Sequence, residues 1–263
     1  MRALQRDGYR LHWREDGAPD GAAVLFINSL GTDLRVWDPL LPLLPQGLRI
    51  LRFDKPGHGL SDGYPGDYSM DALIDDAGAV LDAADADPTV LVGLSIGGMI
   101  AQGLAARRPK QVRAFALLDT GHKIGTAEMW NERIAVVERD GVEPLADAIM
   151  ERWFSADFRA RAPEVALWRN MVTRTTPGGY AGCSKAIRDT DFTEIAAKLR
   201  QPAVCVVGTA DGSTPPALVK ELSELVMQAE YHEIDGVGHI PCVEAPDRLA
   251  RILSPFLTAH AVA

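Results

Sequence analysis

The sequence predicts an α/β protein: a mostly parallel, eight-stranded sheet with helices on both faces and a helical lid inserted before the last two strands. Three observations carry that prediction. Short apolar runs with little polar alternation recur along the chain, stretches of helical periodicity separate them, and one long stretch reads as helix alone. A strand without polar alternation must be buried on both faces, and that requires a parallel sheet covered by helices.

The elements follow in order. Arg2–Arg6 and Tyr9–Arg14 flank Asp7-Gly8, a hairpin signal, so the sheet starts antiparallel. Ala23–Asn28, Leu48–Phe53, Thr89–Leu94, Val112–Leu118, Ala203–Val207 and Ala229–Ile234 are the remaining strands. Ser69–Ala84, Ile96–Arg107, Pro215–Met227 and Ala245–Leu257 carry apolar residues at helical spacing. Between about Gly121 and Arg188 the rhythm breaks. That stretch holds Trp130, Trp153 and Trp168, is punctuated by Pro144, Pro163 and Pro177, and is too long for a simple connection. The expected organisation is therefore a core of residues 1–120 and 189–263 with a helical lid at 121–188. Thr258–Ala263 reads as a frayed tail.

Composition narrows the function. The 263 residues are 47% hydrophobic and 24% charged, which excludes disorder, collagen and coiled coil. Lys plus Arg is 27 and Asp plus Glu is 36, a net charge of −9, so nucleic acid and anionic membrane are poor partners. A small anionic ligand stays open, because the sign of a pocket is local. Cys183, Cys205 and Cys242 are odd in number and form no CxxC or metal spacing, so neither a disulfide framework nor a metal is expected and a cytoplasmic location fits. The N-terminus meets Asp7 and Gly8 before any apolar run, unlike a secretory signal. Pro88–Ala106 has no charged residue and the length of a membrane span, but Gly93, Ser95, Gly97, Gly98, Gln102 and Gly103 interrupt it. A buried strand turning into a buried helix accounts for it better.

The chemistry concentrates on that same segment. Gly93-Leu-Ser95-Ile-Gly97 ends a strand and opens a helix, the setting of a nucleophile elbow. The bland alternative is a glycine-rich turn with an incidental serine, and partners decide between them. A serine hydroxyl needs a base, and the base needs an acid to fix its tautomer. Asp211 ends the strand Ala203–Val207, and His239 follows Ala229–Ile234 in Gly236-Val-Gly-His239, so acid and base come in the required order. Asp235 is the runner-up acid and Asp119 a weaker one. The oxyanion hole needs two backbone donors: Ile96 N–H, directly after the nucleophile, and Leu30 N–H in Asn28-Ser-Leu-Gly-Thr-Asp33. Phe53-Asp-Lys-Pro-Gly57-His-Gly59 suits a compact turn in which His58 is structural, because His239 already holds the position of the base.

At these residues the chain resembles the α/β-hydrolase fold family, and more narrowly the 3-oxoadipate enol-lactonases. The resemblance covers most of the chain: Asn28-Ser-Leu-Gly-Thr-Asp-Leu34, Asp54-Lys-Pro-Gly-His-Gly-Leu-Ser61, Gly93 to Gln102 and Gly208-Thr-Ala-Asp211 in the core. In the lid it includes Lys123-Ile-Gly-Thr126, Glu128 to Ile134, Arg152-Trp-Phe154 and Tyr180 to Asp189. The core motifs are widely shared, and the lid motifs discriminate. The chain departs from the pattern at Gly121-His122-Lys123 and at Cys183-Ser184, where a cysteine pair is common.

The resemblance implies Ser95, Asp211 and His239 as a catalytic triad, no cofactor, and an anionic lactone substrate whose ester is opened through an acyl-enzyme. Its carboxylate needs a cation. Trp130, Arg133 and Val137 share a helix face, so Arg133 is the candidate, with Trp130 as apolar wall. The alternative pairs Arg133 with Glu128 or Glu138; Lys123 and Arg188 are weaker candidates, and Trp153 and Trp168 read as lid core. Three other functions compete: a carboxylesterase or a carbon–carbon bond hydrolase of the same fold, and a non-catalytic ligand-binding protein. A halide-displacing enzyme would need an acid where Ser95 stands.

Overall fold

The structure, a computed structural model, describes residues 1–261. Its strands are β1 Arg2–Arg6, β2 Tyr9–Gly17, β3 Ala22–Ile27, β4 Leu48–Phe53, β5 Thr89–Leu94, β6 Val112–Leu118, β7 Ala203–Gly208 and β8 Ala229–Ile234. They form one eight-stranded sheet in the order β1-β2-β4-β3-β5-β6-β7-β8. The β1–β2 and β2–β4 pairs are antiparallel, and every pair from β4 to β8 is parallel. Every side chain of β5 and of β7 is buried, so helices must cover both faces there.

Helices α1 Met70–Ala84 and α2 Ile96–Arg107 precede β6. Ser69 caps α1, its hydroxyl accepting from Ala72 N. Between β6 and β7 come α3 Ala127–Asp140, α4 Ala146–Trp153, α5 Ala156–Arg159, α6 Ala162–Thr173, α7 Pro177–Arg188 and α8 Thr193–Ala196, with no strand among them. Then follow α9 Pro216–Leu225, α10 Pro241–Glu244 and α11 Pro246–Ala261. Two expectations need correction. The helix predicted at Ala245–Leu257 is α11, which starts at Pro246 and runs to Ala261, and the short α10, started by Pro241, precedes it unpredicted. The predicted frayed tail is helical through Ala261: Leu253, Leu257 and Ala261 bury one face of α11. Val262 and Ala263 of that tail lie outside the described residues. The uncharged Pro88–Ala106 segment is β5 followed by α2, and among the described residues no helix is long and apolar enough to cross a membrane.

The sheet order positions the site. The chain leaves β3 for β4 on one side, and β5 then pairs with β3 on the other. The loops after β3 and β5 therefore diverge and leave a crevice at the carboxyl edge, where α/β sheets bind ligands. Ile27 lies opposite Gly93, so the segment after Asn28 sits beside Ser95. Asp119, Asp211 and His239 follow the carboxyl ends of β6, β7 and β8 along the same edge.

Candidate active site

Ser95 joins β5 to α2 at φ 58° and ψ −120°, left-handed backbone that a residue with a side chain rarely adopts. The neighbours explain how it is held. Its N–H donates to Leu118 O at 2.9 Å, and Thr120 Oγ1 donates to its carbonyl at 2.6 Å. Chains cross so closely that a Cβ at position 93 would lie 2.3 Å from Gly97 O, and one at position 97 would lie 2.0 Å from Ile27 O. Only glycine fits at either place, which gives the five-residue pattern its physical reason.

His239 Nδ1–H donates to Asp211 Oδ2 at 2.8 Å, and both side chains are buried. Asp211 is itself fixed: Ser213 N and Thr214 N donate to Oδ1 at 2.6 and 3.1 Å, and Thr214 Oγ1 donates to Oδ2 at 2.6 Å. Burial works to raise this carboxyl, but the His239 charge and these donors outweigh it and hold it below the usual range. Ser95 and His239 line one cavity, and among the described residues no hydrogen bond joins Ser95 Oγ to the imidazole. Such bonds commonly tighten only around a substrate.

The alternative acids fall elsewhere. Asp235 is exposed, accepts from Thr209 Oγ1 at 3.2 Å and makes no bond to His239. Asp119 is fully buried behind the pair; its Oδ1 accepts from Gly208 N at 2.9 Å and its Oδ2 has no partner. Burial, then the Asp211 charge, push the Asp119 carboxyl well above the usual carboxylate range.

The loop after β3 presents Leu30 at the same cavity, and among the described residues Leu30 N–H has no hydrogen-bond acceptor. The next amide is occupied: Gly31 N donates to His58 Nε2 at 3.0 Å, while His58 Nδ1–H donates to Pro56 O at 3.0 Å. His58 is thus a buried neutral brace, its pKa lowered to about 3 by burial and by the Lys55 charge.

Two cations face the cavity. Arg133 on α3 stacks on the Trp130 ring, 5.0 Å from its centroid, and Trp130 Nε1 donates to Ile124 O at 2.7 Å. Neither Glu128 nor Glu138 pairs with Arg133; Glu138 takes Lys185 at 2.6 Å instead. Lys123 is held by Asp191 at 3.0 Å, and Arg188 by Asp189 and Asn131, each at 2.7 Å, so neither is free for a ligand. Sequence reasoning missed Arg152. It ends α4, lines the cavity and, like Arg133, makes no ion pair among the described residues. Burial first, then the charge of Arg133, lower its pKa. No acidic side chain lines the cavity, so two unneutralised guanidinium groups occupy it in a chain of net charge −9. Trp153, expected to be lid core, also lines it.

The cavity is narrow, about 80 Å³, below the ~300 Å³ of an ordinary ligand pocket. A substrate must be small or must displace the helices above it. A larger cleft of about 800 Å³ near Pro109 and Pro202 has no nucleophile–base pair and no comparable chemistry.

Comparison with known proteins identifies the family. A profile of the "Alpha/beta hydrolase family" matches residues 24–252. The chain is 29% identical to 3-oxoadipate enol-lactonase 2 of Acinetobacter baylyi over 237 residues, 90% of this chain and 88% of that one. It is 27% identical to a pimeloyl-[acyl-carrier protein] methyl ester esterase of Methylococcus capsulatus, covering 91% and 96% of the two chains. The crystal structure of the enol-lactonase from Burkholderia xenovorans LB400 superposes with a TM-score of 0.94 at 34% identity, covering 98% of this chain and 100% of that one.

Proposed function

The chain belongs to the alpha/beta hydrolase family, an ester hydrolase by its relatives, and from that premise we propose that it is a serine hydrolase opening 3-oxoadipate enol-lactone to 3-oxoadipate. One observation carries the reading. Ser95 and His239 share a cavity with two cations that have no carboxylate of their own. A nucleophile–base pair reads as ester cleavage; unpaired guanidinium groups beside it read as recognition of an acid on the substrate. Residues 1–120 and 189–263 carry the catalytic groups, and residues 121–188 form the lid that supplies the cations.

The steps follow. Trp130 gives the substrate an apolar wall, and Arg133 forks onto its carboxylate. His239 takes the proton of Ser95, whose oxygen attacks the ring carbonyl. The tetrahedral oxyanion rests between Leu30 N–H and Ile96 N–H, and each such donor is worth about 3 kcal/mol in the transition state. The carbonyl re-forms, the ring C–O bond breaks, and the leaving enolate takes its proton from His239. Water, deprotonated by the same imidazole, then attacks the acyl-enzyme and releases Ser95. Asp211 orients His239 and stabilises its cation throughout without taking the proton.

A panel assay tests the reading: purified protein with muconate-derived enol-lactones and with neutral p-nitrophenyl esters. Turnover of the acidic lactones far faster than that of the neutral esters supports it. Rapid turnover of neutral esters with none of the lactones replaces it by the carboxylesterase reading, which the similarity to methyl ester esterases favours. If a serine-directed phosphonate labels neither the protein nor its Ser95→Ala variant, a binding role takes its place.

A further inference from the structure

We propose that Lys55 is a positioning residue of the oxyanion hole: its ammonium grips the loop carbonyls behind Leu30 and thereby aims the Leu30 N–H into the cavity. In a trans peptide the C=O and the N–H point in opposite directions, so whatever fixes Ser29 C=O fixes Leu30 N–H. Lys55 Nζ donates to Asn28 O and to Ser29 O, each at 2.9 Å. Thr32 adds two more donors on Ser29 O, its Oγ1 at 2.8 Å and its N–H at 3.2 Å. One carbonyl thus receives three donors, one of them charged. That pins the peptide plane and polarises it, leaving more positive charge on the Leu30 hydrogen.

The neighbouring amides make the aim selective. Gly31 N–H is turned away onto His58, so Leu30 N–H is the amide left for a ligand. The position is also costly in a way that packing alone does not explain. Lys55 is fully buried, makes no ion pair among the described residues, and burial pulls its pKa down to about 8. An apolar side chain of similar volume would fill the space without desolvating a charge. Position 55 sits just after β4, the strand beside β3, so the ammonium reaches the loop from behind while the cavity lies in front.

The inference rests on the serine-hydrolase reading. Lys55→Met and Thr32→Val are compared with wild type for p-nitrophenyl acetate turnover and for inhibition by a trifluoromethyl ketone, whose hemiketal with Ser95 bears the oxyanion. Lys55→Met is expected to lower kcat about ten- to hundredfold with KM within about twofold, and to raise the inhibition constant by the same factor. Thr32→Val, which removes one neutral donor and keeps the fold even if Lys55→Met does not, is expected to move both quantities about threefold in the same direction. Unchanged kcat and inhibitor affinity in the folded variants overturn the proposal, as does a loss that appears in KM while inhibitor affinity holds. A wild type that neither turns over the ester nor reacts with a phosphonate overturns the hydrolase reading and this inference with it; an active wild type with indifferent variants overturns this inference alone.

Discussion

His58 makes acid stability a direct readout of the loop behind the oxyanion hole. Its neutral form is required at Nε2, which must accept from Gly31 N–H, while Nδ1–H donates to Pro56 O and so fixes which nitrogen keeps the proton. Burial and the adjacent Lys55 charge depress its pKa to about 3, against about 6.5 in an unfolded chain. Between those values the unfolded chain holds a proton that the folded chain does not. Stability is therefore complete above pH ~6.5 and falls by about 1.4 kcal/mol per pH unit below it, down to pH ~3. The full difference is on the order of 5 kcal/mol, and by pH ~4.5 about half of it is lost. Other groups titrate in this range, so the residue is isolated by comparison with His58→Gln, whose amide can accept from Gly31 N without taking up a proton. Urea unfolding of both proteins at steps between pH 7 and pH 4 gives the difference. The wild type is expected to lose its advantage, and then fall behind, as pH drops. A stability difference that stays constant across that range refutes the tautomer assigned here and the claim that His58 is buried neutral.

Substitutions at two further positions test the site from either side. Arg152→Met should raise KM for anionic lactones on the order of tenfold or more, the worth of a charged hydrogen bond, while leaving KM for p-nitrophenyl acetate within about twofold; equal effects on both substrates would remove Arg152 from recognition. Asp119→Asn should keep kcat within about threefold, because a carboxamide imitates the protonated acid that burial and Asp211 impose, whereas Asp119→Ala should lower kcat by leaving Gly208 N without its acceptor. A collapse of activity in Asp119→Asn would mean that Asp119 works as an anion.

Much of this arrangement could be read from residues alone, for a physical reason. Strands β3, β5 and β7 are written in apolar runs with at most one polar residue at the start, and an elbow as tight as the one at Ser95 admits only glycine at positions 93 and 97, so the constraint leaves a mark in one dimension. Chain order admits Asp211 and His239 but also Asp119 and Asp235, which follow β6 and β8; only the fold, by placing Asp211 Oδ2 on His239 Nδ1–H, separates Asp211 from the other acids. What could not be read depends on the absence of a neighbour. Arg133, Lys123 and Arg188 look equivalent as letters; only the fold gives Asp191 to one and Asp189 to another while leaving Arg133 bare. Arg152 sits in Glu-Arg-Trp, an ordinary helix end, and its exposure to the cavity comes from where α4 stops. The tail failed for a related reason: Thr-Ala-His-Ala has little helical signal, and the burial of Leu257 and Ala261 that extends α11 is a tertiary effect.

The end of α4 also ties the proposed catalytic groups to the proposed recognition groups. Its last carbonyls bind the loops of Asp211 and His239 directly: Arg152 O accepts from Gly212 N at 3.2 Å, next to Asp211, and Trp153 O accepts from His239 N at 2.8 Å. The approach is close enough that a Cβ on Gly238 would lie 2.4 Å from Trp153 O. Glu244 closes the connection from behind, accepting from Gly238 N at 2.9 Å and from both N–H and hydroxyl of Ser155. Acid loop, base loop and the Arg152 guanidinium therefore hang on one helix terminus. A ligand that pulls on the Arg152 side chain loads the same backbone that sets the spacing of Asp211 and His239. On the proposed function, binding energy gathered from a substrate carboxylate would reach the geometry of proton transfer by this short covalent and hydrogen-bonded route, and substrates without that carboxylate would forgo it.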